Sequence, residues 1–313
     1  MKKALLFLLA GILLAACSGA ATPPTAVFTP TMAPTNTAPP PTPTPRITHV
    51  YAFGDDFTDT GNCLKLFKEA VDKGQMVESD LDMLEEGWEG RLTNGPVAVE
   101  VMAERLKLGL TNYAVCAAKS GQDSIQFSDT GLLGQIDKFE AELDGEKADS
   151  DALYFIEIGI VDFYLTAAWI DNDVIANIAT AVTRLAKLGA KHVMVGNSLD
   201  LNNYPGFKRE SMTSEAEKFY TSMNTKLPGE MEKLAQELNI QVEIFDLAAV
   251  AEQIQSNPDQ YGLTQLESTC TDHPYSSGGV CENPDEYYYW GYYYLSRVVH
   301  QAMGEAMAEQ LSR

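Results

Sequence analysis

Ile47-Thr48-His49-Val50-Tyr51-Ala52-Phe53 runs directly into Gly54-Asp55-Asp56-Phe57-Thr58-Asp59-Thr60-Gly61-Asn62. The first part is nearly continuous in apolar side chains, as a strand buried on both faces requires. The second part sets Asp55, Asp56 and Asp59 between two glycines, which is turn chemistry. The same kind of apolar run returns at Thr111–Val115, Ala152–Ile158, His192–Gly196 and Gln241–Phe245. Helix-period segments lie between the runs, at Pro96–Leu106, Leu132–Leu143, Val174–Leu188 and Ser214–Leu238, and Trp290–Leu311 reads as a closing helix. Strand and helix in alternation predict an α/β fold with a doubly wound, five-stranded parallel sheet flanked by helices. Ligands in such a sheet sit beyond the carboxyl ends of the strands. Residues after Phe53, Val115 and Ile158, and those just before the last helix, are therefore expected on one face.

The chain ahead of this domain has a different character. Lys2 and Lys3 precede the apolar run Ala4–Leu14, which is too short to span a bilayer and suits a signal peptide. The run ends in Leu14-Ala15-Ala16-Cys17, which resembles a bacterial lipobox, so residues 1–17 read as a lipoprotein signal with Cys17 as the lipidated residue. An ordinary signal peptide with a chance cysteine is the alternative. Residues 18–46 hold nine of the 15 prolines and many threonines, the composition of an extended linker. That leaves residues 47–313 as one domain, expected at the extracellular face of a bacterial membrane through the lipid anchor. A net charge of −22 argues against nucleic acid or an anionic lipid surface as partner. In an exported chain Cys270 and Cys281 can close a short loop as a disulfide. Cys63 and Cys116 could be a second pair or two buried thiols.

The turn Gly54-Asp55-Asp56-Phe57-Thr58-Asp59-Thr60-Gly61-Asn62 resembles the Gly-Asp-Ser-Leu signature of the GDSL, or SGNH, ester hydrolases. Further matches follow in order: Gly90–Pro96, Asn112–Val115, Gly131–Leu133, Gly159–Asp162, Asn257–Gly262 and Val280–Tyr287. The nearest branch resembles the extracellular lipases and phospholipases. The resemblance implies a flavodoxin-like three-layer α/β/α fold. It also implies ester hydrolysis by a serine, a histidine oriented by an aspartate, and an oxyanion hole that includes a glycine amide and an asparagine.

This chain departs from that pattern at each catalytic position. The serine position carries Asp56, the glycine position Cys116 and the asparagine position Val161. The C-terminal Trp-Asp-Xaa-Xaa-His pattern falls on Trp290-Gly291-Tyr292-Tyr293-Tyr294, so Gly291 replaces the aspartate and Tyr294 the histidine. Loss of one oxyanion donor typically costs about 100- to 1000-fold in rate, and loss of the base costs more because the triad acts as a unit. Cys116 keeps a backbone N–H, so that change alone is the mildest. The expected function is a catalytically inactive, surface-anchored protein that binds a lipid- or glycan-type ligand in the remnant cleft. The alternatives are an active ester hydrolase with rearranged residues, and a structural envelope protein.

Several residues keep more than one reading. Asp56 could be a carboxylate nucleophile, a metal ligand with Asp55 and Asp59, or a helix cap; the cap is the expectation, and no metal or cofactor is expected. His273 reads as a solvated loop histidine, with replacement of the missing base as the alternative. His49, His192 and His300 read as structural. The run Tyr287–Tyr294 is aromatic at every position but Gly291. Its members Tyr292, Tyr293 and Tyr294, with Asp56, are the candidate ligand-binding residues; filling of the space left by the aspartate and histidine is the alternative. Tyr294 is expected to reach Asp56 and to donate it a hydrogen bond.

Overall fold

The computed structural model describes residues 47–166, 170–274 and 279–313. The signal segment, Cys17 and the linker 18–46 lie outside the described residues, as does the stretch 275–278 of the loop closed by Cys270 and Cys281. The main sheet is parallel, with strands β1 (His49–Gly54), β2 (Gly109–Asn112), β3 (Leu153–Glu157), β4 (His192–Gly196) and β5 (Gln241–Phe245) in the order β2-β1-β3-β4-β5. β3 is buried at every position, which is why its sequence is continuously apolar. β2 is shorter and earlier than Thr111–Val115; Tyr113 and Val115 lie past its end, donating their amides to Ala52 and Gly54.

The helices are α1 (Asn62–Asp72), α2 (Asp82–Glu86), α3 (Ala98–Leu106), α4 (Leu132–Glu142), α5 (Ile160–Thr166), α6 (Asp171–Leu188), α7 (Pro205–Arg209), α8 (Thr213–Leu238), α9 (Leu247–Ser256) and α10 (Arg297–Leu311). α4, α6 and α8 pack in sequence on one another, and α10 packs on α3 and α9. The result is three layers, α/β/α. The chain crosses from β2 over β1 to β3, so the order reverses at β1, and that switch point is where a crevice opens. Below it the core is aromatic: the Phe53 and Tyr113 rings stack at 5.2 Å, and Phe139 meets Phe53 edge to face.

The C-terminal aromatic run corrects the sequence expectation. Trp290 does not begin a helix. Tyr287–Gly291 is strand β7, paired with β6 (Gln265–Thr269) and with β8 (Tyr294–Leu295) in a small second sheet, and α10 starts only at Arg297. Successive bulky rings favour a strand, where side chains alternate across a packed surface. Two disulfides are present, Cys63–Cys116 and Cys270–Cys281. The first resolves the choice between a pair and two thiols; both are consistent with an extracellular protein. Among the described residues no helix is long and apolar enough to cross a membrane.

Candidate functional site

The turn after β1 is held by its own side chains. Asp59 accepts four backbone amides: Gly61 at 2.9 Å, Asn62 at 2.8 Å, and Cys63 and Cys116 at 3.0 Å each. It thus caps α1 and ties the loop after β2 to it, the tie that Cys63–Cys116 makes covalent. The cap is Asp59, not Asp56. Asn62 bridges the carbonyls of Asn112 and Ala114, and Asn112 returns a bond to the Thr58 carbonyl. Gln135 on α4 clamps both backbone groups of Gly54. Gly54 must be glycine, because a Cβ there would lie 2.4 Å from the Glu157 carbonyl.

Carboxyl groups crowd the strand ends. Asp55 is buried, accepts only the Phe57 amide on Oδ1, and leaves Oδ2 without a hydrogen-bond partner among the described residues. Burial, then the charges of Asp56 and Glu157, raise its pKa well above the usual carboxylate range. Burial pushes Glu157 up to about 7, against the Thr58 hydroxyl that it accepts at 3.0 Å. Asp162 is also raised by burial and accepts both the amide and the hydroxyl of Ser120 at 2.8 Å.

Above this cluster a cleft of about 150 Å³ opens, walled by Asp56, Cys116, Val161, Tyr293 and Tyr294, with Phe57, Phe67, Met83, Tyr164 and Phe207 completing much of the wall. Five residues stand at the family's catalytic positions. Four of them, Asp56, Cys116, Val161 and Tyr294, meet here. The fifth, Gly291, is not among the lining residues; it backs the Tyr294 ring, 3.0 Å from where its own Cβ would stand. Tyr292 points elsewhere: its ring lies against the Arg209 guanidinium, whose Nη1 donates to the phenol at 3.3 Å. Tyr293 packs on Gly206, and its hydroxyl donates to Glu210 at 2.6 Å.

Tyr294 and Asp56 share the cleft, and the Asp56 charge helps burial raise the phenol's pKa. The expected hydrogen bond between them is not made. The Tyr294 hydroxyl is directed at Met83 Sδ, 3.8 Å away, and Asp56 Oδ1 accepts the Ala117 amide at 3.0 Å. A backbone donor in the adjoining loop satisfies the carboxylate that the phenol was expected to meet. Burial pushes Asp56 up to about 6, with the Ala117 amide opposing. The Cys116 amide, at the family's oxyanion glycine, is committed to Asp59. Retention of that N–H therefore leaves less than the sequence implied, since a carboxylate already occupies it.

No described histidine lines the cleft. His273 is not solvated, as the sequence suggested; it is buried and paired through Nε2 with Glu86, because the loop closed by Cys270 and Cys281 folds onto α2. Its neighbour Pro274 reaches the cleft wall. His300 accepts the Ala98 amide at 3.3 Å and is held neutral by burial, down to about 3. His49 pairs with Thr111. Asp59, Cys63 and Cys116 lie close enough together for a metal site, but the sulfurs are bonded to each other and Asp59 is filled by amides.

A three-layer α/β/α fold with this turn at its switch point defines an SGNH-type hydrolase fold. The chain belongs to the GDSL-like lipase/acylhydrolase family, whose model matches residues 50–307. Thermolabile hemolysin of Vibrio parahaemolyticus is 26% identical over 84% of this chain, which spans 64% of the hemolysin's length. A phosphatidylcholine-sterol acyltransferase of Aeromonas hydrophila is 24% identical, over 72% of this chain and 66% of its own. GDSL esterase/lipase 5 of Arabidopsis thaliana is 20% identical over 80% of each. Among solved structures, a lipolytic G-D-S-L family protein from Veillonella parvula aligns at a TM-score of 0.46 and 14% identity, over 85% of this chain and 99% of that one.

Proposed function

We propose that this is an exported protein, anchored through a lipid on Cys17, that keeps a hydrolase fold to bind a lipid- or glycan-type ligand without hydrolysing it. The observation that carries the reading is the use of two adjoining amides. Cys116 N–H donates to Asp59, and Ala117 N–H donates to Asp56. A carbonyl entering the cleft meets carboxylates where an ester hydrolase needs donors aimed at a developing oxyanion. Asp56 replaces a nucleophilic hydroxyl, Val161 brings no donor, and Tyr294 is no base at neutral pH because burial and Asp56 keep its phenol protonated. The cleft itself is retained and its wall is apolar, which suits an acyl chain or the face of a sugar ring.

The test is binding. The chain from Ser18 to Arg313, which keeps every described residue and omits the anchor, is titrated with decyl glucoside below its micelle concentration. Saturable binding is expected, weakened in Tyr164→Ala, which removes a 38% exposed ring from the cleft wall. Titration without saturation would reject the cleft as a ligand site.

A further inference from the structure

The cleft combines aromatic walls with a single kind of charge. Phe57, Phe67, Tyr164, Phe207, Tyr293 and Tyr294 all line it. Tyr293 meets Tyr164, Phe207 and Tyr294 at interplanar angles of 64°, 72° and 74°. Rings crossed in this way turn their faces in different directions, which gives walls on several sides rather than one flat platform. Asp56 is the acidic residue among the described lining residues, and no Lys, Arg or His is among them.

That arrangement discriminates between ligand classes. An anionic group would face Asp56 within a molecule of net charge −22. A hydrated metal ion needs several oxygen ligands, and these walls are mostly carbon. A neutral head group can donate hydroxyls to Asp56 but brings no opposite charge, so it recovers only part of what the carboxylate loses on leaving water. An alkylated ammonium group does neither: its charge pairs with the carboxylate while its methyl groups lie on ring faces, the negative side of the aromatic quadrupole. At neutral pH the carboxylate is available for this, since burial lifts it only to about 6.

Resting on the reading of the cleft as a ligand site, we infer that it selects amphiphiles bearing an alkylated ammonium head group, seated between Asp56 and the crossed rings. The experiment titrates the chain from Ser18 to Arg313 with decyltrimethylammonium, decyl glucoside and decyl sulfate, each below its micelle concentration. The ammonium is expected to bind about tenfold or more tighter than the glucoside, and the sulfate more weakly than either. Asp56→Asn, which keeps an oxygen for the Ala117 amide, should abolish the preference, so that the ammonium binds no tighter than the glucoside. Tyr164→Leu should weaken the ammonium more than the glucoside. Equal affinities in the unaltered chain overturn the inference while the cleft reading stands. A preference that survives Asp56→Asn also overturns it, because adsorption on an acidic surface is insensitive to one charge. Choline, lacking a tail, should bind more weakly than decyltrimethylammonium by at least about tenfold, the worth of about two buried methylenes; equal affinity assigns the site to a small free cation and overturns the amphiphile. If none of the probes binds, the cleft reading fails and the inference with it.

Discussion

Glu157→Gln should stabilise the protein at neutral and alkaline pH and do nothing at low pH. Glu157 ends β3, is 8% exposed, and has the Thr58 hydroxyl as its hydrogen-bond partner. Burial raises its pKa from an ordinary 4.5 to about 7. A carboxyl raised in this way keeps its proton in the folded state when the unfolded chain has already lost it. Folding is therefore unpenalised below pH 4.5, loses stability as pH rises toward 7, and is flat above that. The shift corresponds to about 3 kcal/mol by pH 7, the penalty of ionising the group inside. Glutamine keeps the acceptor for Thr58 and cannot ionise. Thermal unfolding followed by circular dichroism from pH 4 to 8, with disulfides intact, should give coincident melting temperatures at pH 4. At pH 8 the variant should melt about 5 to 10 °C higher. Comparing variant with parent removes the general effect of the −22 charge, which also weakens the fold as pH rises. Destabilisation at pH 8 would show that Glu157 is ionised and stabilised by a partner, and a constant offset at every pH would show that folding does not shift its pKa; either refutes the burial argument.

Three further outcomes follow from the same geometry. Asp59→Ala orphans four amides at once and should lower stability by about 2 to 4 kcal/mol in urea unfolding; a loss under about 1 kcal/mol would mean water replaces the carboxylate. Replacing both cysteines of Cys63–Cys116, which close a loop of separation 53, should cost about 4 kcal/mol on the chain-entropy account. For Cys270–Cys281, at separation 11, the cost should be about 3 kcal/mol, so the reverse ranking in chemical denaturation would contradict the loop-length argument. Cys17→Ala should move the protein from the membrane fraction to the soluble fraction; retention in the membrane would place the anchor elsewhere.

The main sheet was legible because its strands are buried on both faces, so burial writes itself as unbroken apolar runs. β6 was not: Gln265–Thr269 is half-exposed and carries no such run. Tyr287–Gly291 is not legible as a strand because an unbroken aromatic run has neither the two-residue nor the helical period, and only its pairing partners make it one. α1 carries a readable period in Cys63, Phe67 and Ala70, three residues beyond the acidic turn and hidden beside its motif. At the site, the residue types came through and their bonds did not. Nothing in the spacing tells that the Cys116 amide turns to Asp59, or that His273 is buried against Glu86, since both depend on how separate loops meet. The nearness of Cys63 to Asp59 was the signal available for the first; for the second there was none.

The most direct test of the account is turnover of a short-chain aryl ester by the purified chain from Ser18 to Arg313, with Asp56→Ala alongside. No hydrolysis above background is expected in either protein, because two carboxylates hold the amides that a tetrahedral intermediate would need. Hydrolysis by the unaltered chain that disappears in Asp56→Ala would contradict it, and would make Asp56 a working catalytic residue.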